Sequence, residues 1–214
     1  MVPRMQTAGT TGIVAGVALA IGFILFMTSG LTFEAFADPG RGLKFATDNT
    51  GRLRLMTAFF IIAVAFAAVF LAGLAAKLRD KTPTRATATL YFGLFGLAGH
   101  GLGAMIFWAG IPAIVARAAT DQVAASHAWV ALVAMDNAAD GFGTLFVGLS
   151  TLMAGWAVIT SKVLSAALGW YGILLGVVGI LAVLASGNEI LGLASFVLPI
   201  IWLVWVGSVL RRAM

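Results

Sequence analysis

The sequence predicts an all-α membrane protein, a polytopic bundle of six transmembrane helices with both termini cytoplasmic. Three observations predict it. Of 214 residues, 61% are hydrophobic and 10% charged, with a mean hydropathy of +1.05, whereas a soluble globular chain is roughly 25% charged. The apolar residues gather into six stretches, each close to or above the roughly 20 residues that cross a hydrocarbon core of about 30 Å. Nearly all the charge falls between those stretches. This composition disfavours a soluble one-domain enzyme, a disordered tail and a nucleic-acid-binding domain. The chain reads as a single transmembrane domain over 1–214.

The stretches run over about 11–33, 53–76, 86–116, 127–160, 166–185 and 190–210. Arg4 and the apolar run followed by Ala35-Phe36-Ala37 imitate a secretory signal. A signal's apolar region is only about 7–15 residues, so 11–33 reads as the first membrane helix. The connection from Glu34 to Arg52 carries both signs of charge and the turn signal Asp38-Pro39-Gly40, in which Pro fixes φ and Gly permits a positive φ. It reads as a solvated loop, with a lid or docking surface as the alternative. Lys77 to Arg85 reads as a tight basic turn that can touch anionic lipid. Stretches three and four exceed the length of a simple crossing, so they must tilt, bend or protrude. Pro112 is a natural bending or ending point for the third.

Orientation follows from the basic residues, which are retained on the cytoplasmic side. One set of segment ends holds Arg4, Lys77, Arg79, Lys81, Arg85, Lys162, Arg211 and Arg212, opposed only by Asp80. On the other side Arg41, Lys44, Arg52, Arg54 and Arg117 are balanced by Glu34, Asp38, Asp48, Asp121 and Glu189. The first set therefore faces the cytoplasm. The isoelectric point near 10.3 is explained by these orienting charges, and nucleic acid is not an expected partner. The chain has no cysteine, which excludes disulfides, thiolate metal sites and thiol nucleophiles.

Glycines recur at four-residue spacing in Gly12/Gly16, Gly99/Gly103 and Gly172/Gly176. Small residues so spaced let helix backbones approach within lipid. Packing inside one bundle is the expected use, with self-association as the alternative. Trp108, Trp129, Trp156, Trp170, Tyr171, Trp202 and Trp205 lie within a turn or two of the expected helix ends, as interfacial aromatic belts do.

Few polar residues interrupt the apolar stretches. Asp136 and Asp140, with Asn137 between them, are spaced i, i+4 and share a helix face. An ionisable group at membrane depth is costly and marks a functional candidate. Counted along a straight helix from residue 160, Asp140 lies about 30 Å and Asp136 about 36 Å up, at the outer boundary rather than the midplane. Hydrated interfacial carboxylates and a proton, cation or substrate site are both open readings.

His100, flanked by Gly99 and Gly101, sits about 21 Å along the third stretch. It reads as a satisfied buried histidine; the alternatives are a pair or relay with Asp140 and a metal or haem ligand. Pairing with His127 around a haem fails, because the two differ by about 29 Å in height. No metal-site spacing, Walker loop, nucleophile elbow or membrane-embedded lysine is present, and Gly99-His100-Gly101-Leu102-Gly103 lacks the strand a dinucleotide fingerprint requires.

The run Gly143-Thr144-Leu145-Phe146-Val147-Gly148-Leu149, then Ser161-Lys162, then Leu168-Gly169-Trp170-Tyr171-Gly172-Ile173-Leu174-Leu175-Gly176, resembles the second half of a bacterial six-helix membrane family catalogued only as a domain of unknown function. The resemblance covers nearly the whole chain and implies six helices, an outer loop after the first and a long third and fourth pair. The turn departs from that pattern in carrying Val163-Leu164-Ser165 where a Pro often follows the basic residue. The resemblance carries over no site.

The scarcity of convergent polar groups predicts a non-enzymatic protein of the bacterial inner membrane. Its expected role is that of an accessory or scaffold subunit of a respiratory or photosynthetic type complex, or of a small lipid- or quinone-binding module. Its expected partners are membrane lipids with other membrane subunits or further copies of itself. The alternative from another class is a small proton-coupled transporter using His100, Asp136 and Asp140, although the two three-helix halves show no clear inverted repeat. A cofactor-bearing intramembrane enzyme would rest on His100 alone. No cofactor is predicted, haem or another pigment being the remote alternative.

Overall fold

The computed structural model describes residues 5–30, 32, 36, 38–185 and 187–212. The expectations for Arg4, Glu34 and the Ala35/Ala37 pair lie outside them. Among the described residues there are seven helices and no strand: α1 (Met5–Met27), α2 (Pro39–Asp48), α3 (Thr50–Arg79), α4 (Pro83–Ala118), α5 (Gln122–Ser161), α6 (Ala166–Leu184) and α7 (Glu189–Arg212). All but α2 are long and apolar enough to cross a membrane.

Local chemistry sets the ends. Hydropathy carries the first stretch to residue 33, but α1 stops at Met27. There the Thr28 hydroxyl donates to the Ile24 carbonyl at 2.7 Å and the Ser29 hydroxyl to Phe26 at 2.6 Å, and Gly30 turns the chain at φ 75°. Side-chain donors of this kind offer the last carbonyls an alternative to the next helical turn. Pro112 does not end α4, which runs on to Ala118. Its ring sits on an exposed face, so the cost is the N–H that would have bonded the Trp108 carbonyl. Lys162 closes α5 in the left-handed region at φ 57°.

The expected loop between the first two spans holds a helix instead. Asp38 accepts from the Arg41 N–H at 2.7 Å and Pro39 occupies the first turn, so the residues read as a turn signal are an N-cap followed by a helix-starting proline. Leu43 and Ala46 are buried while Lys44 and Asp48 pair on the exposed side at 2.9 Å. Gly40 and Gly42 disguised the pattern. Gly42 is needed because a Cβ there would strike the indole of Trp129.

Each long helix packs on its neighbours in sequence, and α7 closes on α1. The six form an antiparallel ring whose first and last helices meet where a Cβ on Gly9 would stand 2.5 Å from the Arg211 nitrogen. The repeated glycines are spent on these seams: Gly12 against the Phe70 ring of α3 and the Leu203 carbonyl of α7, Gly16 against α7, Gly99 and Gly103 against α5, Gly172 and Gly176 against α5.

Two apolar clusters fill the ring's ends. Near the termini, Phe70, Leu74, Leu78, Trp202, Val206 and Leu210 pack together. At the other end, under α2, Leu43, Leu53, Phe107, Ile111, Trp129 and Leu132 do so. Trp129 and Trp202 are therefore core residues and not belt residues, being 0% and 4% exposed. Trp129 donates to the Phe36 carbonyl at 3.1 Å, a partner two residues before the Asp38 cap of α2. Trp156, Trp170 and Trp205 are exposed, and Trp108 and Trp156 lie under the guanidinium groups of Arg54 and Arg85 at 4.4 and 4.3 Å.

The extra length of α4 and α5 is used beyond the ring's far end. At 36 and 40 residues they reach about 54 and 60 Å, and α2 packs across them. Asp121 caps the start of α5. The N–H of Ala124, at 3.0 Å, and the Arg117 guanidinium, at 2.7 Å, hold its carboxyl below the ordinary carboxylate range.

Candidate functional site

Six helices in a ring with axes about 9 Å apart leave an axial space as wide as a missing seventh helix. Here that space is plugged at both ends and open between. A chamber of about 910 Å³ is lined by residues of all six long helices, a volume within the range of small-molecule sites. Phe70 and Trp202, edge to face at 5.7 Å, make its floor on the termini side. Phe36 and Phe107, stacked at 5.4 Å, close it under α2.

Most of the wall is apolar, and its polar part lies on α4 and α5. His100 Nδ1 is 3.0 Å from Asp140 Oδ1, their side chains 30% and 42% exposed. Three glycines make this possible. A Cβ on Gly99 would stand 2.8 Å from the Gly143 nitrogen, and one on Gly143 would stand 2.8 Å from the His100 ring. A Cβ on Gly103 would stand 2.9 Å from Asp136 Oδ1 and 3.3 Å from Asp140 Oδ1. Backbone contact at Gly99/Gly143 draws α4 onto α5, and both carboxylates then converge over Gly103 from one helix face. No hydrogen bond or ion pair among the described residues holds the Asp136 carboxylate.

Straight-helix counting separates His100 from Asp140 by about 9 Å of height. The contact arises because α4 starts earlier than hydropathy marks, which raises His100 along the bundle, and because the helices are staggered at their glycine crossing. Asn137 also lines the chamber but is largely exposed. His127 lies farther up α5, about three and a half turns or 20 Å from Asp140 on the same helix. The described residues contain no group of three potential metal ligands.

Sequence reasoning missed Glu189. The sequence marks it only as one of the outer-side charges, yet with Asn188 it lines the chamber. The reason is the shortness of α6. Gly179 packs on the Thr144 carbonyl of α5, and α6 ends five residues later at Leu184, level with Asp140. The turn to α7 thus arrives beside the carboxylates and leaves the outer half of α5 uncovered there. The relative lengths of α5 and α6, 40 and 19 residues, were the available signal. The floor residue Trp202 keeps an indole N–H without a partner, facing Gly172 of α6.

The family described as Domain of unknown function (DUF4386) matches residues 14–207. The chain belongs to that family. DUF4386 membership agrees with the resemblance carried by the fourth and fifth spans. No curated protein and no solved structure matches the chain.

Proposed function

We propose that this DUF4386 protein is a small membrane-embedded binding protein that takes a lipid- or quinone-like molecule into its central chamber. The observation that carries the reading is a cavity of about 910 Å³ walled by all six long helices. A bundle serving only as a scaffold has no use for it, since unfilled core space costs dispersion and transfer energy. Apolar walls with a few polar groups at one end suit a ligand with an apolar body and a polar head. The proposal places both termini in the cytoplasm of a bacterial inner membrane, because the basic turns Lys77–Arg85 and Lys162 and the Arg211/Arg212 pair share one end of the ring. The chamber's polar wall then faces the outer side.

A second reading has its own observation. The His100–Asp140 contact on the chamber wall joins two groups able to exchange a proton, which favours proton-coupled movement of the ligand over static binding.

The test is organic extraction and mass spectrometry of protein purified in mild detergent from native membrane. A bound lipid-like molecule, lost on Ala182→Trp, which fills the chamber from α6, supports the reading. An empty chamber in native-membrane protein, or ligand retained in that variant, overturns it. Stoichiometric partner subunits without ligand would return the scaffold role. Proton flux driven by ligand in liposomes, lost in Asp140→Asn, selects the transport reading.

A further inference from the structure

We infer that the chamber's ligand carries a positive charge: a lipophilic cation, whose charged head lies against Asp136, Asp140 and Glu189 while its apolar body fills the Phe-lined space. This rests on the binding reading above and narrows it, excluding a neutral quinone and an anionic lipid.

The argument is charge complementarity. The chain has 13 Lys and Arg against 8 Asp and Glu, yet the chamber reverses that balance. Asp136, Asp140 and Glu189 line it, and among its lining residues there is no Lys or Arg. The elements α1, α3 and α6 contribute no charged lining residue, α4 contributes His100, α5 the two aspartates and α7 its first residue, Glu189. The two cations on α3 that flank the lining residue Leu53 are held elsewhere, Arg52 on the Leu25 carbonyl at 2.9 Å and the Thr28 hydroxyl at 2.6 Å, and Arg54 over the Trp108 ring at 4.4 Å.

The opposite wall matches. Across the ring from α4 and α5, Phe23 stacks on Phe196 at 6.1 Å and Phe60 meets Phe196 edge-on at 6.1 Å, and all three line the chamber. Aromatic faces attract a cation through their quadrupole and accept its apolar substituents equally well. An anion would meet three acidic side chains and no Lys or Arg. A neutral ligand would leave Asp136, which no hydrogen bond or ion pair among the described residues holds, without a partner on the chamber wall. Pro199 adds an acceptor to the same wall, since it lacks the N–H that would bond the Ser195 carbonyl, and both residues line the chamber.

The test uses three probes of one shape and different charge on the full chain in neutral detergent: tetraphenylphosphonium, tetraphenylborate and triphenylphosphine oxide. Equilibrium dialysis against empty micelles of the same detergent removes partitioning. The expected result is tetraphenylphosphonium binding at least tenfold tighter than either of the others, and a tenfold or greater loss in Asp136→Asn/Asp140→Asn with triphenylphosphine oxide binding unchanged. That unchanged binding shows the chamber intact. Should the double variant fail to fold, Glu189→Gln, in an exposed turn, and Asp136→Asn singly are each expected to weaken the cation severalfold. Equal affinity for all three probes, or cation binding unaffected by the substitutions, overturns the inference and leaves the chamber reading standing. Binding of none of the three overturns both.

Discussion

Gly103 and Asp136 meet across the α4–α5 seam so closely that the smallest side chain would collide with the carboxylate: a Cβ on the glycine stands 2.9 Å from Asp136 Oδ1. Glycine at 103 is thus part of the carboxylate site although it has no chemistry of its own. Gly103→Ala is expected to displace the Asp136 side chain and to cost about 1–3 kcal/mol by overpacking. Gly141→Ala, a position with open space around it, is the neutral control. Unfolding titrations from dodecyl maltoside into dodecyl sulfate measure both.

The crossing beneath His100 is less forgiving. A Cβ on Gly99 would meet α5 backbone on two sides, at the Gly143 nitrogen and the Ala139 carbonyl, where no side chain can swing aside. Gly99→Leu is expected to separate α4 from α5, costing about 3 kcal/mol or more. The His100–Asp140 contact would go with it. A distance measurement between spin labels on exposed positions of the two helices reports the separation.

Trp129 ties down Phe36, ahead of α2, through its bond to the Phe36 carbonyl. Trp129→Phe removes that bond and part of a ring that is fully buried. The expected loss is about 1–3 kcal/mol from the unsatisfied carbonyl and the void. Faster proteolysis between α1 and α2 checks that the loss is local.

Lys162 holds a left-handed conformation that costs a side-chain-bearing residue roughly 1–2 kcal/mol. Lys162→Gly relieves it but frees the unfolded chain, so the net gain expected is about 0.5–1 kcal/mol. The same titration that reports the Gly103 variant detects it as a shifted midpoint.

Asp121 supplies the pH dependence outside the spans. Its folded-state carboxyl lies below the ordinary carboxylate value, so its contribution is present above that value and fades as pH falls through the depressed folded value. Asp121→Asn, which keeps a capping oxygen but no titrating group, is expected to flatten the acid limb of a stability profile below about pH 4 and to lower the neutral plateau by the contribution the carboxylate no longer makes.

Legibility in the sequence followed the physics of each feature. Span number and fold class were open to reading because hydrocarbon demands long apolar runs and internally satisfied backbones. His100, Asp136 and Asp140 stood out because charge is rare in such runs, and the i, i+4 spacing already put the two aspartates on one face. What escaped was relational. Glu189 enters the chamber only because α6 is short beside α5. Trp129 and Trp202 are buried because α2 and the ring closure cover them, and nothing local distinguishes them from Trp170. The chamber itself belongs to no residue. It exists because α7 returns to α1, a fact that hydropathy does not encode.

That return also sets an order of assembly. The seam between Gly9, Gly12 and Gly16 of α1 and the Gly207 region of α7 joins the first span to the last, so α1 leaves the ribosome with one flank lacking its mate until α7 has been made. Five helices can associate as they are inserted, but an open crescent lacks one wall of the chamber. Whatever the chamber holds can therefore be surrounded only once α7 is in place, and a truncation before α7 is expected to yield a lipid-filled crescent that survives as a target for quality-control proteases rather than as a smaller working protein.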